Sequence, residues 1–237
     1  MLPDSANRFI RMPRSTLLAS ASIPDTSLEL KLHAHRDRFA ISIPGRGELM
    51  NTRVHGSEVA LAEKALQRAA PGGDARVLIG GLGVGFTLAA ALKCCAPNAE
   101  VVVAELVPEV VDWNRELIGE ASGHPLRDSR VRVRIGDVAD VLQAPGSGFD
   151  AVLMDVDNGP EGLVRSENNW LYGPKGLSAT REALRPGGVL AIWSAPPDRR
   201  FTQRLSAAGF SVETETVRPH RAGKGARHVL WFARTTA

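Results

Sequence analysis

From residue 28 onward the chain alternates apolar with polar positions. "LELKLHAH" and "RFAISI" each place a hydrophobic side chain on every second residue, and "RD" lies between them where a hairpin turns. This predicts a small antiparallel β unit that "PGRGELM" closes. Residues 1–27, rich in Pro, Ser, Arg and Asp, hold no sustained period and predict a loosely ordered or partly docked arm. From Ser57 the period lengthens. "SEVALAEKALQRAA" spaces its apolar residues as a helix does, starts on a Ser-Glu pair suited to a helix N-terminus, and is stopped by "PGG" at residues 71–73.

After Asp74 short β-branched runs alternate with helical segments, the pattern of parallel strands joined by crossover helices. The expected strands are "ARVLIG", "AEVVVAEL", "VRVRIGD", "FDAVLMDV" and "GGVLAIWS", with helices near 86–95, 108–119, 137–143 and 174–185. The end of the chain reads differently: "FSVETETVR" and "RHVLWFAR" flank the turn-rich "PHRAGKGA" and predict a terminal hairpin. The fold class is therefore α/β, divided into an N-terminal arm with a small β unit over 1–55 and a larger domain over 56–237.

Composition narrows the function classes. With 237 residues, 43% of them hydrophobic and 23% charged, the chain suits one large folded unit with a small appendage rather than a disordered segment. The formal charge of +3 is too mild to carry nucleic-acid binding without clustering on one face, so no nucleic-acid partner is expected. Cys94 and Cys95 are adjacent and read as small residues at a helix end, and no Cys or His spacing predicts a metal site. No apolar run spans a bilayer and "MLPDSANRFIRMPRS" lacks the core of a signal peptide, which predicts a soluble, cytoplasmic protein without a membrane partner.

The candidate chemistry centres on "RVLIGGLGVGFTLAAAL". Gly81, Gly83 and Gly85 form G-x-G-x-G between a strand and a helix, where glycine permits a sharp turn or close approach of a ligand to the backbone. Glu105 ends the next strand, at the place where an acid in a βαβ unit accepts from both ribose hydroxyls. Asp137 ends the third strand at the edge that would meet an adenine amino group. A dinucleotide site would need a third glycine at the position of Phe86. S-adenosylmethionine (AdoMet) has no pyrophosphate, so acids at strand ends hold its nucleoside while its amino-acid tail sits by the glycine turn, and the pattern favours this ligand.

With "VLIGGLGVG", "VVVAEL", "RIGDVADVL", "FDAVLMDVDNGPEG", "WLYGPKGL" and "LRPGGVLAIW" in this order, the chain resembles the spermidine synthase family, aminopropyltransferases on the class I AdoMet-methyltransferase fold. The resemblance implies a Rossmann-like seven-stranded sheet ending in a hairpin. It also implies that Glu105 and the adjoining Leu106 meet the ribose, Asp137 with Val138 meets the adenine, Asp155 takes the place of the catalytic aspartate, and the protein forms a homodimer through its N-terminal β unit.

The chain departs from that family at several points. Val84 stands where the glycine turn of the family carries an aspartate for the amine of decarboxylated AdoMet; Asn158 stands at the spacing of a second acid, with Asp157 shifted by one; Met50 and Gly56 stand near a Gln and a Tyr of the amine pocket. Desolvating a dication without paired acids is costly. The expectation is therefore a methyltransferase acting on an unknown small-molecule acceptor, with Asp155 as proton acceptor. Asp157, Asn158, Trp170 and Tyr172 are candidate acceptor contacts. An aminopropyltransferase using decarboxylated AdoMet, and a non-catalytic AdoMet-binding protein, remain alternatives. Arg218, Arg221, Lys224 and Arg227 form a basic stretch that suits either an acidic acceptor or a solvated hairpin tip.

Overall fold

The computed structural model describes residues 15–146, 148–156, 168–194, 197–218 and 227–235. They form two sheets. The first is antiparallel, in the order β1 (Ser15–Ser22), β2 (Glu29–His35), β3 (Phe39–Ile43) and β4 (Gly47–Asn51). The predicted hairpin is β2 and β3, joined by a hydrogen bond from the His35 amide to the Arg38 carbonyl at 2.7 Å. Its two flanking strands were not expected. Residues 15–22, read from the sequence as part of a loose arm, are an edge strand paired along its length with β2. "GELMN", read as a closing turn, is a strand of its own against β3.

Next comes α1 (Gly56–Ala69), whose Leu61, Ala62, Ala65 and Leu66 face the core. Its outer face reaches the C-terminal hairpin: Lys64 pairs with Glu215 at 2.7 Å, and Arg68 pairs with both Glu213 and Glu215. These pairs are partly solvated, so each adds little on its own and they chiefly orient the helix.

The second sheet has seven strands in the order β10-β11-β9-β8-β5-β6-β7. Here β5 is Arg76–Gly80, β6 Glu100–Glu105, β7 Val131–Ile135, β8 Phe149–Met154, β9 Leu184–Ser194, β10 Phe210–Val217 and β11 His228–Thr235. The five strands from β5 to β9 run parallel, and β11 then adds antiparallel to β9 and β10 to β11. Both faces of β5 and β8 are covered, which is why "VLIG" in β5 and "AVLM" in β8 are unbroken apolar runs rather than alternating ones.

The connecting helices are α2 (Phe86–Cys94), α3 (Pro108–Glu116), α4 (Val138–Gln143), α5 (Asn168–Leu171), α6 (Pro174–Ala183) and α7 (Arg199–Ala207). Four match the sequence expectation within a few residues. Missing from that expectation are the single turn α5 and α7, the latter capped by Asp198, whose carboxylate accepts from the Arg200 and Phe201 amides at 2.7 and 3.0 Å. Cys95 follows the last residue of α2 and both cysteines are free thiols.

The core on one face of the large sheet is continuous with the small sheet: Ile23, Leu30, Leu32, Ile41 and Ile43 cluster with Leu61, Val77, Leu88 and Val101. The N-terminal sheet is thereby fixed over one end of the large one. Among the described residues, no helix is long and apolar enough to cross a membrane.

Candidate functional site

Four parallel strands deliver chemistry to one edge. Gly81 follows β5, Glu105 is the last residue of β6, Asp137 stands just beyond β7, and Asp155 follows β8. The loops are pinned to neighbouring strand ends: the Gly81 amide donates to the Ala104 carbonyl at 2.8 Å, the Asp155 amide to Gly80 at 3.0 Å, and the Gly136 amide to Glu105 at 2.9 Å. Strand order reverses about β5, and open α/β sheets form their binding crevice outside the carboxyl ends at such a switch point.

The crevice here encloses about 130 Å³. Its floor combines Gly81, Gly83, Glu105, Leu106, Asp137, Val138 and Asp155, which brings most of the sequence-predicted residues together. Its roof is apolar and comes from the small sheet, through Ile23, Leu30, Ile41, Leu49 and Met50. Such a roof suits the faces of a purine, while the acids below suit hydroxyl and amino donors.

Glycine is required in the turn by the protein itself. Gly81 has φ +86°, and a Cβ there would stand 2.6 Å from the Asp155 carbonyl oxygen. Gly83 has φ +53°, and a Cβ would meet the Met50 sulfur at 2.8 Å. The turn is also held by buried polar groups. Glu105 accepts from the Leu82 amide at 2.8 Å through one oxygen and from the Val107 amide at 2.9 Å through the other. Burial pushes its carboxyl up from the ordinary range, and these amides oppose the shift. Asn114, buried on α3, donates to the Gly83 and Val110 carbonyls at 2.8 and 2.9 Å. Asp137 caps α4 by accepting from the Ala139 amide at 2.9 Å.

A second cavity of about 100 Å³ adjoins the crevice and shares Leu49, Met50, Gly83 and Asp155 with it. Gly85 lies here rather than in the crevice, with Val84, Phe86, Trp193 and Glu58. Glu58 was not singled out by sequence reasoning as a site residue. It enters from the first turn of α1, which is set beside the start of α2 by the stacking of His55 on Phe86, ring centroids 3.8 Å apart.

The two acids of this cavity act on each other through their charges. Burial pushes the Glu58 carboxyl up to about 7; the charge of Asp155 adds in the same direction, and the Ser57 hydroxyl, donating at 2.7 Å, opposes it. Burial also raises Asp155, opposed by the Thr87 hydroxyl, which donates to its Oδ2 at 2.5 Å. Two carboxylates in one low-dielectric cavity hold fewer than two charges near neutral pH until a cation arrives.

A family model for the spermine/spermidine synthase domain matches residues 67–199, more than half of the chain. The chain belongs to this family. Among curated relatives, a polyamine aminopropyltransferase of Mycobacterium tuberculosis is 29% identical over 165 residues, covering 65% of this chain and 30% of the relative. One from Korarchaeum cryptofilum is 31% identical over 151 residues, covering 63% of this chain and 44% of the relative. The chain thus spans less than half the length of either. A solved spermidine synthase in complex with the transition-state analogue AdoDATO aligns over 92% of this chain and 72% of its own, with TM-score 0.71 and 18% identity. Spermidine synthase from Thermotoga maritima gives TM-score 0.70 and 17% identity over the same shares. At such identity the likeness shows the fold, a Rossmann-like seven-stranded sheet with an N-terminal antiparallel sheet.

Within this family the position of Val84 matters, because it is 5% exposed and lines the same cavity as Glu58. The apolar residue in the glycine turn thus shares its cavity with a carboxylate supplied by another element. Trp170 and Tyr172 line neither cavity. Tyr172 is 1% exposed and packs edge-on against Phe201 at 5.6 Å, in the core on the opposite face of the large sheet, with Trp170 packed against the same cluster. Asp157 and Asn158 lie outside the described residues, as do Arg221 and Lys224 of the basic stretch.

Proposed function

We propose that this chain is a transferase that moves the aminopropyl group of decarboxylated AdoMet to a small amine acceptor. The observation that carries the reading is the placement of Asp155 and Glu58 in one cavity beside the glycine turn. The sequence alone favours methyl transfer, because amine-binding acids are missing at Val84 and Asn158. Glu58 supplies a carboxylate there from α1 instead, and the named activity of the curated relatives supports aminopropyl transfer over methyl transfer.

In this reading Glu105 with Leu106 takes the ribose, Asp137 with Val138 the adenine, and the roof of the small sheet excludes water. The donor supplies a carbon made electrophilic by its sulfonium. The amine nitrogen bonds to that carbon, the carbon–sulfur bond pair passes to sulfur, and 5′-methylthioadenosine leaves. The proton displaced from the amine goes to Asp155, whose affinity for protons burial raises, as suits a proton acceptor. A homodimer and a cytoplasmic location belong to the same proposal.

The test is to incubate the protein with a panel of primary amines and either decarboxylated AdoMet or AdoMet. Release of 5′-methylthioadenosine from the decarboxylated donor is expected. Formation of S-adenosylhomocysteine from AdoMet, with no methylthioadenosine from the other donor, would overturn the proposal in favour of methyl transfer.

A further inference from the structure

The two cavities share a wall, and that wall has a charge pattern. At the crevice end, Glu105 and Asp137 mark where a nucleoside binds. A sulfonium tail leaving the nucleoside toward Gly83 and Asp155 enters the second cavity, where Glu58 stands among Val84, Gly85, Phe86 and Trp193. Apart from Glu58 and Asp155, the described lining of that cavity carries no ionisable group. Among the described residues no Lys or Arg lines it to receive an anion.

The tails of the two donors differ in one group. Both carry an ammonium, and AdoMet carries a carboxylate as well. A third carboxylate brought beside two half-buried or buried ones is repelled, whereas an ammonium is attracted and draws the pair toward full ionisation. From this geometry we infer that Glu58 is the specificity-determining residue for the donor: its carboxylate receives the tail ammonium of decarboxylated AdoMet and rejects AdoMet. The inference rests on the aminopropyl reading and adds to it a residue outside the glycine turn and the strand ends.

Rejection acts in the same place as attraction. Glu58 is held by the Ser57 hydroxyl at 2.7 Å, and α1 is anchored by the His55–Phe86 stack, so its carboxylate is positioned before the ligand arrives. Preorganised charge discriminates better than charge that must be gathered on binding.

The experiment is calorimetric titration at pH 8 of the wild-type chain, Glu58→Gln and Glu58→Asp. Three ligands are used: decarboxylated AdoMet, AdoMet, and 5′-methylthioadenosine, which has the nucleoside and no charged tail. Wild type is expected to prefer decarboxylated AdoMet by roughly tenfold or more, and Glu58→Gln to lose most of that preference, the size of effect that removing one partner of a desolvated charge pair gives. Methylthioadenosine should bind both proteins alike.

A Glu58→Gln protein that binds methylthioadenosine normally and keeps the full donor preference overturns the role of Glu58 and leaves the aminopropyl reading standing. A wild-type protein that prefers AdoMet overturns both. If Glu58→Gln fails to bind methylthioadenosine, Glu58→Asp decides: preference retained supports the inference, and equal affinity for the two donors overturns it.

Discussion

Thr87 donates its hydroxyl to Asp155 Oδ2 at 2.5 Å, joining the first turn of α2 to the end of β8. Thr87 is 2% exposed, so no water replaces that donor if it is removed. The bond favours the charged form of Asp155 against the opposing effect of burial. Thr87→Val keeps the shape and deletes the donor, so Asp155 should hold its proton to higher pH. The ascending limb of the pH profile for methylthioadenosine release is expected to move up by about one unit. An unshifted limb would mean that Asp155 is not the group whose ionisation controls turnover.

Glu105 serves the protein before it serves a ligand, because each oxygen already accepts one backbone amide. In Glu105→Gln one of those amides would face an NH₂ group and lose its acceptor inside the fold. The expected cost is about 1–3 kcal/mol of stability in a denaturant titration. Affinity for 5′-methylthioadenosine should fall by roughly tenfold or more, through the lost ribose acceptor. If the variant is destabilised yet binds methylthioadenosine as wild type does, Glu105 holds the turn and has no part in the ligand.

Gly81 and Gly45 separate two costs. Both have positive φ, +86° and +76°, but a Cβ at Gly81 would stand 2.6 Å from the Asp155 carbonyl oxygen while one at Gly45 meets nothing within 4 Å. Gly45→Ala should cost about 1–2 kcal/mol, the conformational penalty alone. Gly81→Ala should cost roughly 2–4 kcal/mol and lower turnover as well, because relieving the contact displaces Asp155. Equal losses at the two sites would show that the loop after β8 yields without strain.

The parts of the site legible in the sequence are those fixed by strand register. Gly81, Glu105 and Asp155 each sit at the end of an apolar run and Asp137 follows the alternating "VRVRI", so recognising the strands locates all four on one edge. Glu58, Thr87 and Asn114 come from helices, and which helix turn faces the crevice is decided by packing between elements. The one local sign was Asn114, a polar residue on the same helix face as Val110. β1 carries no alternating signal because it is an edge strand with adjacent Leu17 and Leu18, 51% and 41% exposed. α7 is short, with only Phe201 and Leu205 buried. Trp170 and Tyr172 show the converse: aromatic residues near a site motif look alike in sequence whether they cover a pocket or fill the core.

The Glu58–Asp155 pair should also be visible in the stability of the unliganded protein. Burial, with the charge of Asp155, raises Glu58 from 4.5 to about 7, and Asp155 is raised too. A carboxyl whose folded pKa lies above its unfolded one keeps its proton in the native state after the unfolded chain has released it. Stability from this source is therefore complete below about pH 4.5 and falls as pH rises to about 7. His228 has the opposite sign in an overlapping range, since burial lowers its pKa and stability rises as the unfolded histidine loses its proton. Asp128, lowered to about 2 by Arg130, acts only at lower pH. Subtracting the Glu58→Gln curve from that of wild type cancels His228 and Asp128 and isolates the pair. Denaturant titrations at pH 5, 6, 7 and 8 should show the variant gaining on wild type by about 1–2 kcal/mol across the series. Parallel curves would mean that Glu58 ionises without penalty, and that the two carboxylates do not share a low-dielectric cavity.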